Sequence, residues 1–332
     1  MADPLPYSRI AVLGAGAWGT ALALTAVAAG RDTLLWVRED DVLASIRAGR
    51  QNRFLPDVIL PEQLKATGDL AEAASAEALL LAVPAQVLHG FVEKLAPHLK
   101  PGVPLVICAK GIEKASGKLV HEVVAGAAPS ATVAILSGPS FARDVAKGLP
   151  TAVTIAAKGG AAGRLQACLS TPVFRPYASD DVTGVALGGA AKNVYAIACG
   201  VVEGLGLGEN ARAALLARSF AELARLGEAL GARSETLMGL SGLGDLVLTA
   251  TSRSSRNFSF GVALGQGNSL ADLNRPGHPL AEGVDTAPAL VTRAKQAGVE
   301  MPIAEAMADL ISGALPLGEA LTRLMSRRLK AE

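Results

Sequence analysis

Residues 10–20 read Ile10-Ala-Val-Leu-Gly14-Ala-Gly16-Ala-Trp-Gly19-Thr20, and this stretch decides the fold. Its first four residues are apolar and predict a short buried strand. The three glycines follow with the spacing G-x-G-x-x-G, and an alanine-rich run to Ala29 predicts a helix. A strand, a glycine turn (residues 14–19) and a helix in this order favour dinucleotide binding, because glycine lets a pyrophosphate approach the helix N-terminus closely. The alternative is a turn whose glycines serve packing alone.

The second predicted strand, at residues 33–37, is followed by Arg38. A unit that binds NAD usually carries an acidic residue here for the ribose hydroxyls, whereas arginine can pair with the 2′-phosphate of NADP. Arg38 therefore favours NADP(H). Glu39 comes next and could accept from ribose hydroxyls, so NAD(H) stays possible. The alternative for Arg38 is a solvated surface charge.

Five further apolar runs predict strands of the same sheet, at residues 79–83, 105–109, 133–136, 151–156 and 173–177. Continuous apolar runs are expected of strands that are covered on both faces of a parallel sheet. The predicted fold class is α/β, with an N-terminal, Rossmann-like, doubly wound and mainly parallel sheet. Because ligands bind at the carboxyl ends of such strands, we expect Lys110 and the loop at residues 137–142 to face the same crevice as the glycine turn.

Strand patterns stop after Tyr177, and helical patterns with short glycine breaks continue to the end of the sequence. We therefore expect two domains. Residues 1–180 would form a dinucleotide-binding domain, and residues 181–332 an all-α substrate and catalytic domain.

The first helix of the second domain is predicted to begin after Asp180-Asp181, and it carries Lys192 in its middle. Small and apolar residues surround Lys192, which predicts a helix buried all round. A membrane span is one alternative, but Lys192, Asn193 and four glycines within residues 180–200 argue against it. A lysine that reaches water along the helix face is another. A buried lysine needs a partner or loses its proton, which makes Lys192 a candidate proton donor or acceptor.

Polar clusters accompany Lys192 at residues 242–249, 252–257 and 281–283. The second cluster contains Arg256 and Asn257 just before an apolar helical run, which predicts a phosphate site at a helix N-terminus. Its alternative is a solvated basic loop, and the alternative for Asp245 in the first cluster is an ordinary N-cap. Asp245 and Asn193 are expected to hold Lys192. With a hydride from a dinucleotide and a proton from Lys192, these parts predict a reductase of a small phosphorylated ketone.

The composition narrows the class of partner. The chain has 332 residues and a net charge of +1 without a basic or acidic block, so neither nucleic acid nor an anionic membrane is expected. The N-terminus lacks the pattern of a signal peptide and the three cysteines lie far apart, which favours reduced thiols in a cytoplasmic protein. The four histidines do not cluster, so no metal site is expected.

Motifs along nearly the whole chain resemble the NAD(P)-dependent glycerol-3-phosphate dehydrogenases of bacteria. The resemblance lies in residues 14–22, 54–57, 110–111, 137–142, 187–193, 242–246, 255–257 and 282–283. It implies a fold like that of 6-phosphogluconate dehydrogenase and NAD(P)H-dependent reduction of dihydroxyacetone phosphate to sn-glycerol 3-phosphate, which feeds glycerophospholipid synthesis. Lys192 would be the proton donor or acceptor, and we expect a homodimer.

The resemblance also implies roles for individual residues. Catalysis would involve Lys192, Lys110 and Asp245. The substrate would be bound by Lys110, Gly138, Ser140, Lys192, Asp245, Ser255, Arg256 and Asn257. The cofactor would be bound by Gly14, Gly16, Ala17, Trp18, Gly19, Arg38, Phe54, Lys110, Ala142, Arg256, Leu280 and Glu282. Two positions depart from the family pattern, since Ala17 replaces a common serine and Leu280 a frequent valine. The first removes a hydroxyl near the pyrophosphate, and neither touches the expected chemistry.

Two other functions stay open on the sequence alone. Related two-domain dehydrogenases of 3-hydroxy acids share a buried lysine after glycines, but they would need a carboxylate site in place of a phosphate site. A non-catalytic NADP(H)-sensing regulator would keep the glycine turn. Lys192 and Arg256, which lie on separate helical segments, argue against this second alternative.

Overall fold

The computed structural model describes residues 5–273, 275 and 281–326, and it contains one eight-stranded sheet. The strand order is β3-β2-β1-β4-β5-β6-β7-β8, and every neighbouring pair is parallel except β6 with β7. This order confirms the predicted doubly wound, mainly parallel sheet. The strands are β1 (Arg9–Leu13), β2 (Asp32–Trp36), β3 (Lys65–Thr67), β4 (Ala78–Leu81), β5 (Pro104–Ile107), β6 (Thr132–Ser137), β7 (Thr151–Ala157) and β8 (Phe174–Ser179).

Strands β1 and β4 lie side by side inside the sheet, and the residues that pair between them are all apolar. Ile10 to Leu13 pair in register with Ala78 to Leu81 of β4, and all eight of these residues are 0% exposed. Burial at every position, rather than at alternate ones, is what a parallel sheet covered on both faces requires. The carboxyl ends of β1, β4, β5 and β6 therefore lie side by side, as predicted from the sequence.

Strand β3 is the one strand of the sheet that the sequence patterns missed. It has three residues, Lys-Ala-Thr, of which only Thr67 is buried, and it pairs with the outer side of β2. A polar edge strand of this length gives no apolar run to detect. The other strands were predicted, with ends that differ by one to a few residues.

The described residues also form sixteen α-helices, and no strand follows β8 among them, as predicted. The helices are α1 (Ala17–Ala28), α2 (Asp40–Gly49), α3 (Leu70–Ala74), α4 (Leu88–Leu95), α5 (Val120–Ala127), α6 (Ala142–Ala146), α7 (Ala161–Leu169), α8 (Val182–Gly204), α9 (Gly208–Ala229), α10 (Ser234–Met238), α11 (Asp245–Ala250), α12 (Arg256–Gly265), α13 (Leu270–Leu273), α14 (Glu282–Gln296), α15 (Pro302–Ser312) and α16 (Leu317–Met325).

The chain divides into two units. The first comprises Met1–Lys110 and Leu119–Ala186, and the second comprises Gly111–Lys118 and Leu187–Glu332. The division expected from the sequence, between residues 180 and 181, falls at the start of α8, whereas the chain passes between the units within α8. The short segment Gly111–Lys118 belongs with the helical unit, and no sequence pattern indicated this.

Helix α8 begins with the cap that its sequence predicts, since the Asp181 carboxylate accepts a hydrogen bond from the backbone N–H of Gly184 at 2.8 Å. It then packs backbone to backbone against α12. A methyl group on Gly200 would lie 2.1 Å from the carbonyl oxygen of Phe258, and one on Gly261 would lie 2.1 Å from that of Ile197. Glycines at these crossings fix the register of the two helices.

Among the described residues, α8 is also the one helix that is long and apolar enough to cross a membrane. Its whole apolar window is buried inside the protein. The core helix of a folded domain passes the same test of length and composition, and the burial of α8 accounts for its apolar sequence.

Candidate active site

Two glycines of the turn at residues 14–19 are required by the fold itself. Gly14 has φ +115°, and a Cβ there would lie 2.8 Å from the carbonyl oxygen of Ala82 at the end of β4. A Cβ on Gly19 would lie 1.9 Å from the carbonyl oxygen of Gly14. These two positions satisfy the packing interpretation of the motif.

Gly16 is different, because the packing of the protein does not explain it. It has φ −66°, and a Cβ built on it meets nothing within 4 Å. It stands at the N-cap of α1, where no side chain caps the helix and the first turn carries no acidic residue. Open backbone N–H groups at a helix N-terminus, with room above a glycine, fit the pyrophosphate of a dinucleotide.

The first turn of α1 contains Ala17 and Trp18. The indole N–H of Trp18 is buried and has no hydrogen-bond partner among the described residues. A buried donor without a partner is unusual, and it is a second feature of this turn that the protein alone leaves unexplained.

Phe54 lies in the loop after α2 and is 42% exposed. The guanidinium carbon of Arg53 sits 5.1 Å from the centroid of its ring. Asn52, directly before them, is 1% exposed and donates a hydrogen bond at 2.8 Å to the carbonyl oxygen of Ala15 in the glycine turn. The loop that carries Phe54 is therefore attached to the glycine turn.

Arg38 follows β2, and its side chain is 75% exposed. Its guanidinium donates to the Glu39 carboxylate from Nη2 at 2.5 Å and from Nε at 3.1 Å. Arg38 lies just after β2, as the sequence predicts, but its guanidinium already donates two hydrogen bonds to Glu39.

Lys110 and the loop after β6 meet at the carboxyl ends of neighbouring parallel strands. Lys110 Nζ and Ser140 Oγ both donate to the carbonyl oxygen of Gly138, at 2.9 Å each. Gly138 has φ +149°, and a Cβ there would lie 2.8 Å from Cα of Val153, so only glycine fits. Ala142 begins α6 directly afterwards. The structure thus brings Lys110, Gly138 and Ser140 together, as the strand order predicts.

The lysine cluster, formed by Lys192, Asp245 and Thr249, lies inside the helical unit. Lys192 is 7% exposed and Asp245 is 0% exposed. Lys192 Nζ lies 2.5 Å from Asp245 Oδ1 and 2.9 Å from Thr249 Oγ1. Thr249 Oγ1 donates its own proton to the carbonyl oxygen of Asp245 at 2.6 Å, so it accepts from Lys192. Lys192 does not reach water along a helix face, and Asp245 is not an N-cap, since Gly244 takes that position and Asp245 is the first residue of α11.

The position of Asp245 depends on a close backbone contact. A π-helical turn, Leu240–Gly244, precedes α11 and packs directly on α8. A methyl on Gly188 would lie 2.5 Å from the carbonyl oxygen of Ser241, and one on Gly242 would lie 1.9 Å from that of Leu237. Gly188 lets this turn and α11 approach α8 closely enough for the carboxylate to reach Lys192, one turn after Gly188, and Gly242 lets the turn close on α10.

A second hydrogen-bonded chain lies beside the lysine cluster. Asn193 Oδ1 accepts from Asn257 Nδ2, and Asn257 Oδ1 accepts from the backbone N–H of Gly283, both at 2.9 Å. Ser255 caps α12 by accepting from the backbone N–H of Phe258 at 3.2 Å. The chain fixes the N-termini of α12 and α14, and with them Glu282, the first residue of α14.

Arg256 begins α12, as the sequence predicts, and its side chain is exposed. Within the described residues it forms no ion pair. An exposed, uncommitted cation at a helix N-terminus is an arrangement that binds an anion such as phosphate. Leu280, the remaining residue of the predicted cofactor set, lies outside the described residues.

Two family models match the chain. Residues 9–162 match the model for the N-terminus of NAD-dependent glycerol-3-phosphate dehydrogenase, and residues 181–322 match the model for its C-terminus. The chain belongs to the NAD-dependent glycerol-3-phosphate dehydrogenase family.

Individual relatives agree with this membership. A glycerol-3-phosphate dehydrogenase (NAD(P)+) of Parvibaculum lavamentivorans is 53% identical over 330 residues, which cover 99% of each chain. Another from a Bradyrhizobium strain is 56% identical over 327 residues, covering 98% of this chain and 99% of the relative. The crystal structure of glycerol-3-phosphate dehydrogenase from Coxiella burnetii superposes with a TM-score of 0.91 at 38% identity, over 98% of this chain and 100% of that one. The family and the fold predicted from the motifs are confirmed.

Sequence analysis missed one buried acid of this glycerol-3-phosphate dehydrogenase family member. Glu222 on α9 is 2% exposed, and burial raises its pKa from 4.5 to about 7. It accepts from the backbone N–H groups of Ile303 and Ala304 at the start of α15, at 2.7 and 3.3 Å, and from the hydroxyl of Tyr195 at 3.3 Å. A lone glutamate in an alanine-rich helix gives no motif, and only long-range contacts reveal its role.

The cysteines of this family member are core residues. Cys108, Cys168 and Cys199 are buried and form no disulfide, and burial raises the pKa of Cys199 to about 12. Thiols with raised pKa values are poor nucleophiles. Within the described residues, no group of three or more histidine, cysteine, aspartate or glutamate side chains could hold a metal ion.

Proposed function

We propose that this protein uses NAD(P)H to reduce dihydroxyacetone phosphate reversibly to sn-glycerol 3-phosphate, which supplies glycerophospholipid synthesis. The observation that carries the proposal is the buried ammonium of Lys192, held by Asp245 and Thr249 in a unit that also presents Arg256 at a helix N-terminus. Membership of the family and the shared names of close relatives support it.

The first unit would hold the cofactor. Its proposed binding residues are Gly14, Gly16, Ala17, Trp18, Gly19, Arg38, Phe54, Lys110 and Ala142, to which Arg256, Leu280 and Glu282 of the second unit are added. Gly16 and the open N-terminus of α1 would receive the pyrophosphate. When bound, the nicotinamide supplies the hydride. Arg38 would favour NADP(H) by pairing with the 2′-phosphate, and Glu39 would allow NAD(H) to bind by accepting hydrogen bonds from the ribose hydroxyls.

Lys192 would transfer the proton. When the ketone is reduced, its ammonium gives a proton to the oxygen that becomes the hydroxyl group, and in the reverse direction its amine takes that proton back. Asp245 stabilises the ammonium form by the short contact to Nζ, and Thr249 accepts a second hydrogen bond from it. These two partners fix Nζ in place, since a buried lysine side chain without them would have many conformations.

The phosphate would be bound at the N-terminus of α12. Arg256 supplies an exposed guanidinium, Ser255 and Asn257 order the first turn, and Lys110 with Gly138 and Ser140 completes the proposed substrate set. An arginine at a helix N-terminus binds a carboxylate as well as a phosphate, so it is the family membership that disfavours the 3-hydroxy acid dehydrogenases. We further propose residues 1–180 as the cofactor domain, residues 181–332 as the substrate domain, a homodimer, and a cytoplasmic location.

One experiment tests the reaction and the phosphate site together. The protein is mixed with NADPH and either dihydroxyacetone phosphate or dihydroxyacetone, and the loss of nicotinamide absorbance is followed. We expect turnover with the phosphate ester and almost none without it. Arg256→Ala should raise KM for the ester by about ten- to a hundredfold, because a charge-assisted hydrogen bond of about 1.5–3 kcal/mol is lost.

The matched control is Arg253→Ala, which removes an exposed arginine three positions earlier whose partner is Glu203. It should leave KM nearly unchanged. Equal activity on both ketones would show that the protein does not recognise the phosphate group. No oxidation of NADPH or NADH with any ketone would favour the non-catalytic regulator.

A further inference from the structure

Asn52 lies between two segments that the proposed cofactor site uses, although no motif includes it. It is 1% exposed, which is unusual for an asparagine, since amides are costly to bury without partners. Its Nδ2 donates to the carbonyl oxygen of Ala15 and to Thr20 Oγ1, both at 2.8 Å. Its Oδ1 accepts from the backbone N–H of Phe54 at 3.0 Å. Both donor hydrogens and the acceptor of the amide are therefore used.

The donor side of Asn52 holds the glycine turn. Ala15 stands between Gly14 and Gly16, and its carbonyl oxygen receives a longer bond, 3.3 Å, from Thr20 Oγ1. No side chain caps α1. A segment with three glycines in six residues has high conformational entropy when it is not restrained. The amide of Asn52 supplies a restraint from outside the turn.

The acceptor side of Asn52 holds the loop that carries Phe54. The Oδ1 bond to the Phe54 N–H is joined by a bond of 2.8 Å from the backbone N–H of Leu55 to the carbonyl oxygen of Asn52. These two bonds form a tight turn. The exposed ring of Phe54 projects from it, and Arg53 covers one side of the ring.

We propose that Asn52 is a positioning residue for cofactor binding, which sets the glycine turn and the Phe54 loop in their binding arrangement before the cofactor arrives. A site ordered in advance loses less entropy when it binds its ligand, so it binds more tightly. The inference rests on the proposed function in one respect, since it takes the ligand of the turn to be a dinucleotide.

The test compares Asn52→Leu with Thr25→Val. Leucine keeps the number and branching of the side-chain heavy atoms of asparagine and removes all three side-chain hydrogen bonds. Thr25 is a matched control, because it is buried on the same helix α1, and within the described residues its hydroxyl group bonds to the carbonyl oxygen of Ala21 in that helix alone. For each variant, we would measure the NADPH dissociation constant, the thermal unfolding midpoint, and hydrogen exchange of the amides at residues 14–20 without cofactor.

In Asn52→Leu, we expect the NADPH dissociation constant to rise by about ten- to a hundredfold, because the two buried bonds to the glycine turn and the bond to the Phe54 loop are lost. Exchange at residues 14–20 should become about tenfold faster or more in that variant, since the turn opens locally. Thr25→Val should change neither quantity, although it lowers the unfolding midpoint. At saturating NADPH, the KM for dihydroxyacetone phosphate should stay within about twofold, since the loss is one of cofactor binding.

Several results would overturn the inference. It fails if Asn52→Leu unfolds at a lower temperature while its affinity for NADPH and its exchange at the turn match those of Thr25→Val. If Asn52→Leu does not fold, Thr20→Val serves in its place, because it leaves Asn52 and removes one of its acceptors, together with the longer bond from Thr20 Oγ1 to the carbonyl oxygen of Ala15. It should raise the dissociation constant by about three- to tenfold, and no rise would refute the inference. If the wild-type protein binds neither NADPH nor NADH, the proposed function fails, and this inference fails with it.

Discussion

The glycine turn and the lysine cluster are built in opposite ways. The glycine turn uses six consecutive residues with little or no side chain at its key positions, and backbone contacts such as Gly19 against the carbonyl oxygen of Gly14 give it its shape. The lysine cluster joins Lys192 to Asp245 and Thr249, which lie 53 and 57 positions later in the chain. Side-chain hydrogen bonds in a buried environment give the cluster its shape.

This difference determines how each site can be damaged. A site made by backbone contacts has no functional side chain to delete, so an added methyl group is the change that disturbs it. A site made by a buried ion pair fails when one partner is removed, because the other is left charged and desolvated. Methyl additions therefore test the glycine turn, and removal of one or both charges tests the lysine cluster.

The largest effect is expected for Lys192→Met, which should lower kcat by about two to four powers of ten, since general acid–base help is lost. The NADPH dissociation constant should stay nearly unchanged, because Lys192 is not among the proposed cofactor-binding residues and the glycine turn belongs to the other unit. Turnover and cofactor titration on the same preparation check both statements. Lys295→Met, which removes an exposed lysine of α14, is the control and should keep full activity.

Lys192→Met leaves Asp245 buried without its cation, and breaking a buried pair in this way costs about 3–5 kcal/mol of the free energy of unfolding. The double variant Lys192→Met with Asp245→Asn removes both charges. It should regain most of the stability and none of the turnover. If the double variant recovered a tenth of the wild-type kcat, the loss in Lys192→Met would be one of folding, and Lys192 would not be the proton carrier.

A site made by backbone contacts, such as the glycine turn, is easier to predict from the sequence than a site made by buried side-chain contacts, such as the lysine cluster. Gly14, Gly16 and Gly19 are close together in the chain, so their spacing alone indicates the turn. Lys192 was recognisable as a charge inside an apolar helix, but its link to Thr249 depends on how closely α11 approaches α8. Asn52 and Glu222 were missed for the same reason, since each acts through contacts with distant segments.

A pair of methyl additions, at the first and the second glycine of one motif, should produce the next largest effects, with opposite consequences for stability. Gly14→Ala should lower the free energy of unfolding by about 1–3 kcal/mol, because it puts a Cβ at φ +115° against the Ala82 carbonyl oxygen. Gly16 already has a φ that alanine adopts, so Gly16→Ala should stabilise the cofactor-free protein by up to about 1 kcal/mol.

The same Gly16→Ala variant should bind NADPH about five- to a hundredfold more weakly, since its methyl group occupies the space that we assign to the pyrophosphate. Urea unfolding and NADPH titration measure the two effects separately. If Gly16→Ala kept its affinity for NADPH, the space above Gly16 would not be the pyrophosphate site, and the motif would serve packing alone.

The smallest effect is expected for Arg38, whose side chain is proposed to add a contact to the cofactor site formed by the glycine turn. An arginine that meets a 2′-phosphate forms a charge-assisted hydrogen bond worth about 1.5–3 kcal/mol, but Arg38 is exposed and already donates twice to Glu39. Binding NADPH exchanges one acceptor for another, so the net gain is smaller. We expect Arg38→Ala to reduce the preference for NADPH over NADH by about three- to tenfold, chiefly through weaker NADPH binding.

Glu39→Gln should raise the same preference, because it releases the guanidinium and removes a charge that repels the phosphate. The kcat/KM values for both cofactors in the wild type and the two variants decide the matter. A wild-type preference for NADH, or an Arg38→Ala variant that weakens both cofactors alike, would mean that Arg38 serves only as the surface partner of Glu39.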